Sequence, residues 1–404
     1  MRLKDVAFVN LLTLDETTPN DYSFKYIDIG SVSSEGGISL GDEMTFQEAP
    51  SRARRICKKG DVLISTVRTY LRAIADIGWD AQDIIASTGF AVYSPNEKII
   101  PRFLAYSVKS TDAINQICSN SKGVSYPAIQ ASILSSIKIP YYDLKQQEAI
   151  VAYLDKECDK IGQRIALLER KADAYRRLRR SLINRAVTRG LNPDVLLKPS
   201  GNSWIGDIPQ HWGFERVEKH FHSKTLYNNA FAYKHAFKFF MGTIVPKDEN
   251  FDEDEYQDVY EKYTIVEQND IIINGLNLNY DLKSMRVGKV PYNGIITSAY
   301  VVLRPYGKTT NANYFNYLFK AFDNRKFFHG MGKGIRLTLS FNELRYFEIP
   351  IPPENEQKAI AAYLDEKCAK IDAIVEKINI QIERLKELKR SLINEVVTGK
   401  RAIN

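Results

Sequence analysis

The chain has 404 residues, 56 Lys and Arg against 49 Asp and Glu, and a formal net charge of +7. That length allows two independent cores, and so mild a positive balance admits a nucleic-acid partner without establishing one. Cys57, Cys118, Cys158 and Cys368 suit neither a disulfide framework nor a zinc spacing, and no window approaches the roughly 20 apolar residues of a membrane span, so a cytoplasmic chain without structural metal is expected.

From Met1 to about Tyr142 the apolar runs are short and set between Gly, Asn, Ser and Pro. Asp61-Val62-Leu63-Ile64-Ser65 and Gly89-Phe90-Ala91-Val92-Tyr93 read as strands, and Pro101 to Ser119 reads as a helix with one buried face. From Lys145 to Arg189 the pattern changes. Leu154, Cys158, Ile161, Ile165, Leu168, Ala172, Tyr175 and Leu182 alternate steps of four and three, with Arg179 filling the one gap, which is a heptad seam. Gly190 and Pro193 end that helix and open a connector rich in Pro, Gly, Asn and Ser, from which the run Trp204 to Trp212 leads into a second mixed block.

The second block repeats the landmarks of the first. Asn269 to Asn274 stands where Gly60 to Ser65 stood, Thr297 to Val302 answers Ser87 to Val92, and Asn313-Tyr314-Phe315 precedes another helix. Asn355 to Thr398 then repeats the long helix without a gap: Ile139-Pro140, Tyr153-Leu154-Asp155 and Ser181-Leu182-Ile183-Asn184 return as Ile349-Pro350, Tyr363-Leu364-Asp365 and Ser391-Leu392-Ile393-Asn394. Its seam is Leu364, Cys368, Ile371, Val375, Ile378, Ile382, Leu385 and Leu392, with Lys389 at the place of Arg179. Helices of about 45 residues are on the order of 65 Å long, too long to bury a seam on a small block. Packed on each other by one face across a two-fold axis they would be antiparallel, with a block at either end. The competing arrangement packs each helix on its own block. Met1-Arg2-Leu3-Lys4 begins roughly where Glu215-Arg216-Val217-Glu218 does, so the first half looks shortened by its opening strand or turn.

No catalytic constellation stands out. Dinucleotide, P-loop, zincin and serine-hydrolase motifs are missing. Asn192-Pro193-Asp194-Val195 lacks the second proline and the aromatic residue of an adenine-methyltransferase signature and reads as a helix stop. Gly330-Met331-Gly332-Lys333-Gly334 is a weak phosphate-loop candidate, and His220 and His222 alternate with Phe221 as a strand would. Recognition chemistry is better represented. Arg52, Arg54 and Arg55 precede the first strand, and Arg68, Thr69, Tyr70 and Arg72 follow it in a loop. The second block places Asn274, Asn277, Asn279, Tyr280, Lys283 and Arg286 in the equivalent loop, exchanging arginines for asparagines. A second pair of loops offers Lys122, Ser125 and Tyr126 in one block, Lys333 and Arg336 in the other. Arg suits guanine, amides and hydroxyls suit adenine or phosphate, and Tyr packs on sugar or a thymine methyl. The acidic residues 248–255 would repel a duplex and should lie off its face.

With Ile349-Pro350-Ile351-Pro352-Pro353-Glu354-Asn355-Glu356-Gln357 running into Ile360-Ala361-Ala362-Tyr363-Leu364-Asp365, the echo Gln147 to Asp155, and the run Trp204 to Trp212, the chain resembles the specificity subunit of Type I restriction-modification systems over almost its whole length. In the first copy Tyr141-Tyr142-Asp143-Leu144 departs from the pattern, so that junction is expected to be built differently. The resemblance implies an α+β fold with two similar target-recognition domains, separated by two long antiparallel coiled-coil helices in a pseudo-two-fold repeat. The expected divisions are residues 1–144 and 204–354 for the recognition domains, 145–190 and 355–399 for the helices, and 191–203 for a linker. It also implies a non-catalytic chain whose domains each read half of a split target in double-stranded DNA. The helices would set the spacer. Two methyltransferase subunits, which bind S-adenosylmethionine, are the implied partners, with Mg/ATP-dependent motor-nuclease subunits as further candidates. A coiled-coil scaffold whose heads bind protein, and an enzyme with a hidden site, are the alternatives.

Overall fold

The computed structural model describes residues 1–80, 83–223, 225–229, 231–240, 242–247, 253–279, 285–307, 310–334 and 337–403. Two compact units are present. The first joins Met1–Glu169 to Asn379–Asn404, and the second is Arg170–Ile378, so each combines a mixed head with segments of both long helices.

The two heads share one topology. In the first unit an antiparallel sheet runs in the order Ala7–Val9, Phe90–Pro95, Val62–Ser65, Ile74–Asp76. In the second unit the order is Phe221–His222, Val301–Pro305, Ile271–Ile273, Val287–Lys289. Both inner strands are β-branched runs buried on both faces, Val62 to Ser65 and Ile271 to Ile273, which is why they read as continuous apolar segments. Beside it the first head has a second sheet, Glu43–Thr45, Ser23–Ile27, Ile84–Ser87, Ala53–Cys57, in which the pair Ser23–Ile27 and Ile84–Ser87 is parallel. The second head keeps that parallel step as the bridge from Ala236 to Ile295.

The helix expected over Pro101 to Ser119 is two helices, Pro101–Val108 and Thr111–Ser119. The break has a local cause: Ser110 is extended and its hydroxyl accepts from Ala113 N at 3.3 Å, an N-cap inside the apolar pattern. At the opening of the heads, Gly213–Arg216 pairs with Glu348–Ile351 in the second unit. In the first, Arg2 bridges Lys138 and the N-terminal amino group of Met1 donates to Ile139 O at 3.2 Å.

The long helices are Leu144–Arg189 and Glu354–Val397. Their seams are the shielded faces: Leu154, Cys158, Ala172, Leu364, Cys368, Ile371, Ile378, Ile382 and Leu392 are buried, and the remaining seam positions are partly so. Within the first unit Ile150, Leu154 and Cys158 share a core with Leu392, Ile393, Val396 and Val397, the start of one helix with the end of the other. Within the second unit Ile183, Ala186 and Val187 likewise share a core with Ile360, Ala361, Leu364 and Cys368, and Arg179 Nε meets Asp372 Oδ1 at 3.0 Å. The helix segments in each unit therefore run antiparallel. Lys389, the counterpart of Arg179, pairs instead with Glu35 of its head at 3.6 Å.

The repeated motif residues fasten heads to helices. Gln147, fully buried, accepts from Ile100 N at 2.8 Å and donates to Lys98 O at 3.0 Å and Tyr142 O at 2.8 Å. Gln357 accepts from Asn311 N at 3.0 Å and donates to Pro352 O at 2.9 Å. Tyr106 donates to Asp155 at 2.6 Å and Tyr317 to Asp365 at 2.7 Å. The junctions differ in sequence, Tyr142 against Pro352, but the glutamine addresses a carbonyl that every residue carries. In the second unit the Trp run is also tied to its helix, since buried Trp212 donates through Nε1 to Glu356 at 2.9 Å.

Candidate nucleic-acid interface

In each head the buried inner strand delivers a loop to the surface, and a second loop is laced to it through backbone hydrogen bonds. In the first head Ile129 N donates to Thr66 O at 2.8 Å and Arg68 N to Pro127 O at 2.7 Å. The second loop is closed on itself by Lys122 N to Ala128 O at 2.8 Å and Ala128 N to Lys122 O at 2.9 Å, with Gly123 at φ 108° making the turn. In the second head Leu339 N donates to Gly275 O at 2.9 Å and Leu278 N to Leu337 O at 3.2 Å, while Lys333 and Thr338 exchange bonds of 3.1 and 2.9 Å. A side chain at Gly275 would collide with the carbonyl of Leu339, so close approach explains that glycine. The frame is common to both heads although the loop sequences differ.

Most of the candidates in the first head are brought together on this frame. Arg68, Tyr70, Arg72, Lys122, Ser125 and Tyr126 are exposed, with Tyr70 at 56% and Tyr126 at 66% of full accessibility. Arg68 is left-handed (φ 48°, ψ 48°), and its guanidinium lies 4.8 Å from the centre of the Tyr126 ring, which links the two loops by a cation–π contact. Arg52 is exposed too. It lines a cleft of about 610 Å³ with Tyr26, Asp28, Arg68, Leu71 and Tyr126. Arg54 and Arg55 sit on the strand Ala53–Cys57 and are half-buried: Arg54 lies over Phe46 at 4.9 Å and Arg55 donates to Thr13 Oγ1 at 3.2 Å.

Two candidates are placed beneath the surface, and their assignment as DNA contacts is revised. Thr69 is 4% exposed and its hydroxyl shares a hydrogen bond with Ser121 at 2.8 Å, joining the loops from below. Arg286 is 1% exposed; its guanidinium donates to Asn274 O at 3.0 Å and Leu276 O at 2.8 Å, and its backbone N–H donates to Asp323 at 2.6 Å. It holds the loop after the inner strand in shape. Burial raises the Asp323 carboxyl above its ordinary range, opposed by the hydrogen bond from Arg286. Asn274 is half-buried and accepts from Leu276 N at 3.2 Å, a turn-forming role. Asn277, left-handed at φ 51°, Asn279 and Lys333 are exposed, Lys333 within 3.6 Å of Glu343. Tyr280, Lys283 and Arg336, and the acidic residues 248–252, lie outside the described residues.

Tyr26 and Asp28 were not legible as cleft residues. They come to line one cleft with Arg68 through the parallel pairing of Ser23–Ile27 with Ile84–Ser87, a pairing distant in sequence that leaves no local pattern. The other motifs resolve simply. His220 lies 3.1 Å from Glu215, and His222 stacks on Tyr306 at 4.7 Å. Among the described residues no group of three or more His, Cys, Asp or Glu is placed to hold a metal, and no helix is long and apolar enough to cross a membrane.

Comparison with known proteins follows the same lines. The chain is 23% identical over 363 residues to a putative type I restriction enzyme MjaX specificity subunit of Methanocaldococcus jannaschii, covering 84% of this chain and 78% of that one. It is 29% identical over 119 residues to the type I restriction enzyme HindI specificity subunit of Haemophilus influenzae, covering 28% of this chain and 26% of the relative. Its fold is similar to a chain solved in work on complex assembly and conformational transition of the type I R-M system, with a TM-score of 0.68 and 21% identity over 98% of this chain and 96% of the other. A family model described as the Type I restriction modification DNA specificity domain matches residues 1–170 and again 223–384, so the chain belongs to that family.

Proposed function

We propose that this chain is the DNA sequence-specificity subunit of a Type I restriction-modification enzyme, in which each head reads one half of a bipartite target in double-stranded DNA. The observation that carries this reading is the shared loop frame with unshared side chains: Arg68, Arg72 and Tyr126 in one head, Asn277, Asn279 and Lys333 in the other. A scaffold that presents two different surfaces in one geometry suits two half-sites of different sequence. The exposed cations attract the phosphate backbone, while Arg, Asn and Tyr on the loops carry the donors and acceptors that base edges require. Tyr280, Lys283 and Arg336 belong to the same proposed set, with Arg52, Arg54 and Arg55 as backbone-facing cations.

On this reading the chain performs no chemistry of its own. Methyl transfer from S-adenosylmethionine belongs to two modification subunits, docked on the helices and heads, and cleavage to Mg/ATP-dependent motor-nuclease subunits where a system carries them. Assembly occurs in the cytoplasm. The test is a domain exchange: replacing the second head, residues 204–354, with that of a relative of different specificity should change one half of the methylated sequence and leave the other half intact. A scaffold that binds only protein would leave the methylated sequence unchanged.

A further inference from the structure

The cleft beside Arg68 contains a group that a general DNA-binding surface would avoid. Asp28 is exposed and lines the cleft from the turn after strand Ser23–Ile27, outside both recognition loops. Its Oδ1 accepts from Ser31 N at 2.8 Å and Ser31 Oγ at 2.9 Å, which fixes the carboxylate at the start of the short turn Ile29–Ser31. Among the described residues Oδ2 has no hydrogen-bond partner, and neither Arg52 nor Arg68 forms an ion pair with it. A carboxylate held open in a cationic cleft repels phosphates, so it does not serve overall affinity. What it can accept from is an amino group. On the base edges of the major groove those are cytosine N4 and adenine N6, whereas guanine O6 and thymine O4 would meet it with lone pairs.

We infer that Asp28 is a specificity-determining residue, accepting a hydrogen bond from the exocyclic amino group of one base in the half-site of the first head and excluding bases that place a carbonyl there. The inference rests on the proposed DNA reading. The second head supports it by contrast. Ala236 pairs in parallel with Ile295 as Tyr26 pairs with Ile85, so the register position of Asp28 is taken there by Lys238, a donor in place of an acceptor. The heads part at this place, since Asp28 opens the turn Ile29–Ser31 whereas Lys238 lies within Phe237–Phe240 and pairs with Val245, so the carboxylate is particular to the first head.

Asp28→Asn tests this, because the amide keeps an oxygen for Ser31 and replaces the outward acceptor with a donor. The chain is assembled with its modification subunits and used to select from duplexes randomised in both half-sites. The expected result is a loss of about tenfold in preference for cytosine or adenine at one position of one half-site, with gains for guanine or thymine there and the other half-site unchanged. A thermal melt matching the native chain confirms that the variant folds, and Ser31→Ala, which frees the carboxylate without adding a donor, should weaken the same position more mildly. Unchanged preference at every position, or equal tightening on all sequences, overturns the inference while leaving the DNA reading standing. A native complex that selects no sequence overturns both.

Discussion

Arg68 holds a backbone conformation that costs a residue with a side chain about 1 to 2 kcal/mol, and its N–H is pinned to Pro127 O at 2.7 Å. In the second head the same bond to the second loop is made by Leu278 N, and the left-handed residue is its neighbour Asn277, of a type that tolerates this conformation better. Strain retained at an exposed arginine points to a use for its side chain. Arg68→Ala should therefore cost about 1 to 3 kcal/mol against the native target and relax one base position. Equal weakening on all sequences would make it a phosphate contact. A different prediction concerns the half-buried lysines on the head helices. Burial lowers Lys109 to about 8, helped by Arg102 and Lys389 and opposed by Asp76 and Glu35. Lys320 stands at the matching place and is also lowered to about 8 by burial, helped by the charge of Arg179 and opposed by Asp372 and Asp323. An unfolded lysine titrates near 10.4. Between about pH 8 and 10.4 the unfolded chain binds more protons at this group than the folded one, so the stability it contributes rises with pH. Wild type should gain on Lys109→Met in melts across that window, and a flat or falling difference would contradict the assignment.

At the scale of elements, the Gln and Tyr-Leu-Asp residues repeated in the sequence act as fasteners between a head helix and a long helix. Replacing Gln357 by Leu leaves the amide of Asn311 and the carbonyl of Pro352 without that partner. Each buried polar group so left costs about 1 to 3 kcal/mol. Hydrogen exchange at the Asn311 amide should accelerate accordingly; exchange at the native rate would mean water replaces the glutamine. These fasteners were visible as repeats but not as hydrogen bonds, since a motif marks recurrence and not purpose. The seams were fully legible, because a period of three and four over forty residues has one physical reading. The break at Ser110 was not, as one serine inside an apolar helical pattern is ambiguous until its cap forms. Among site residues, the exposed loop arginines could be read from their position after a buried strand. Thr69 and Arg286 could not be told from them, for nothing local distinguishes a polar side chain that faces out from one folded under its own loop.

For the whole molecule, the proposed role of the helices as spacer makes a quantitative demand. Seven residues inserted after Leu168 and seven after Ile378, equivalent points of the two copies, preserve both seam registers. Each insertion adds about 10.5 Å of helix and turns its far end by only about 20°. Length alone then asks for a spacer longer by about three base pairs. The duplex resists, since three added pairs also rotate the distant half-site by about 100°, far more than the heptad supplies. The expected compromise is a spacer longer by about one to three base pairs, the smaller value if twist governs and the larger if length does, with both half-sites unaltered. Insertion in one copy alone breaks the match between the seams and should abolish assembly or selective binding. Mapping methylated positions in DNA carrying the two half-sites at graded separations reads the outcome directly, and an unchanged spacer in the doubly extended chain would remove the helices from the role of ruler.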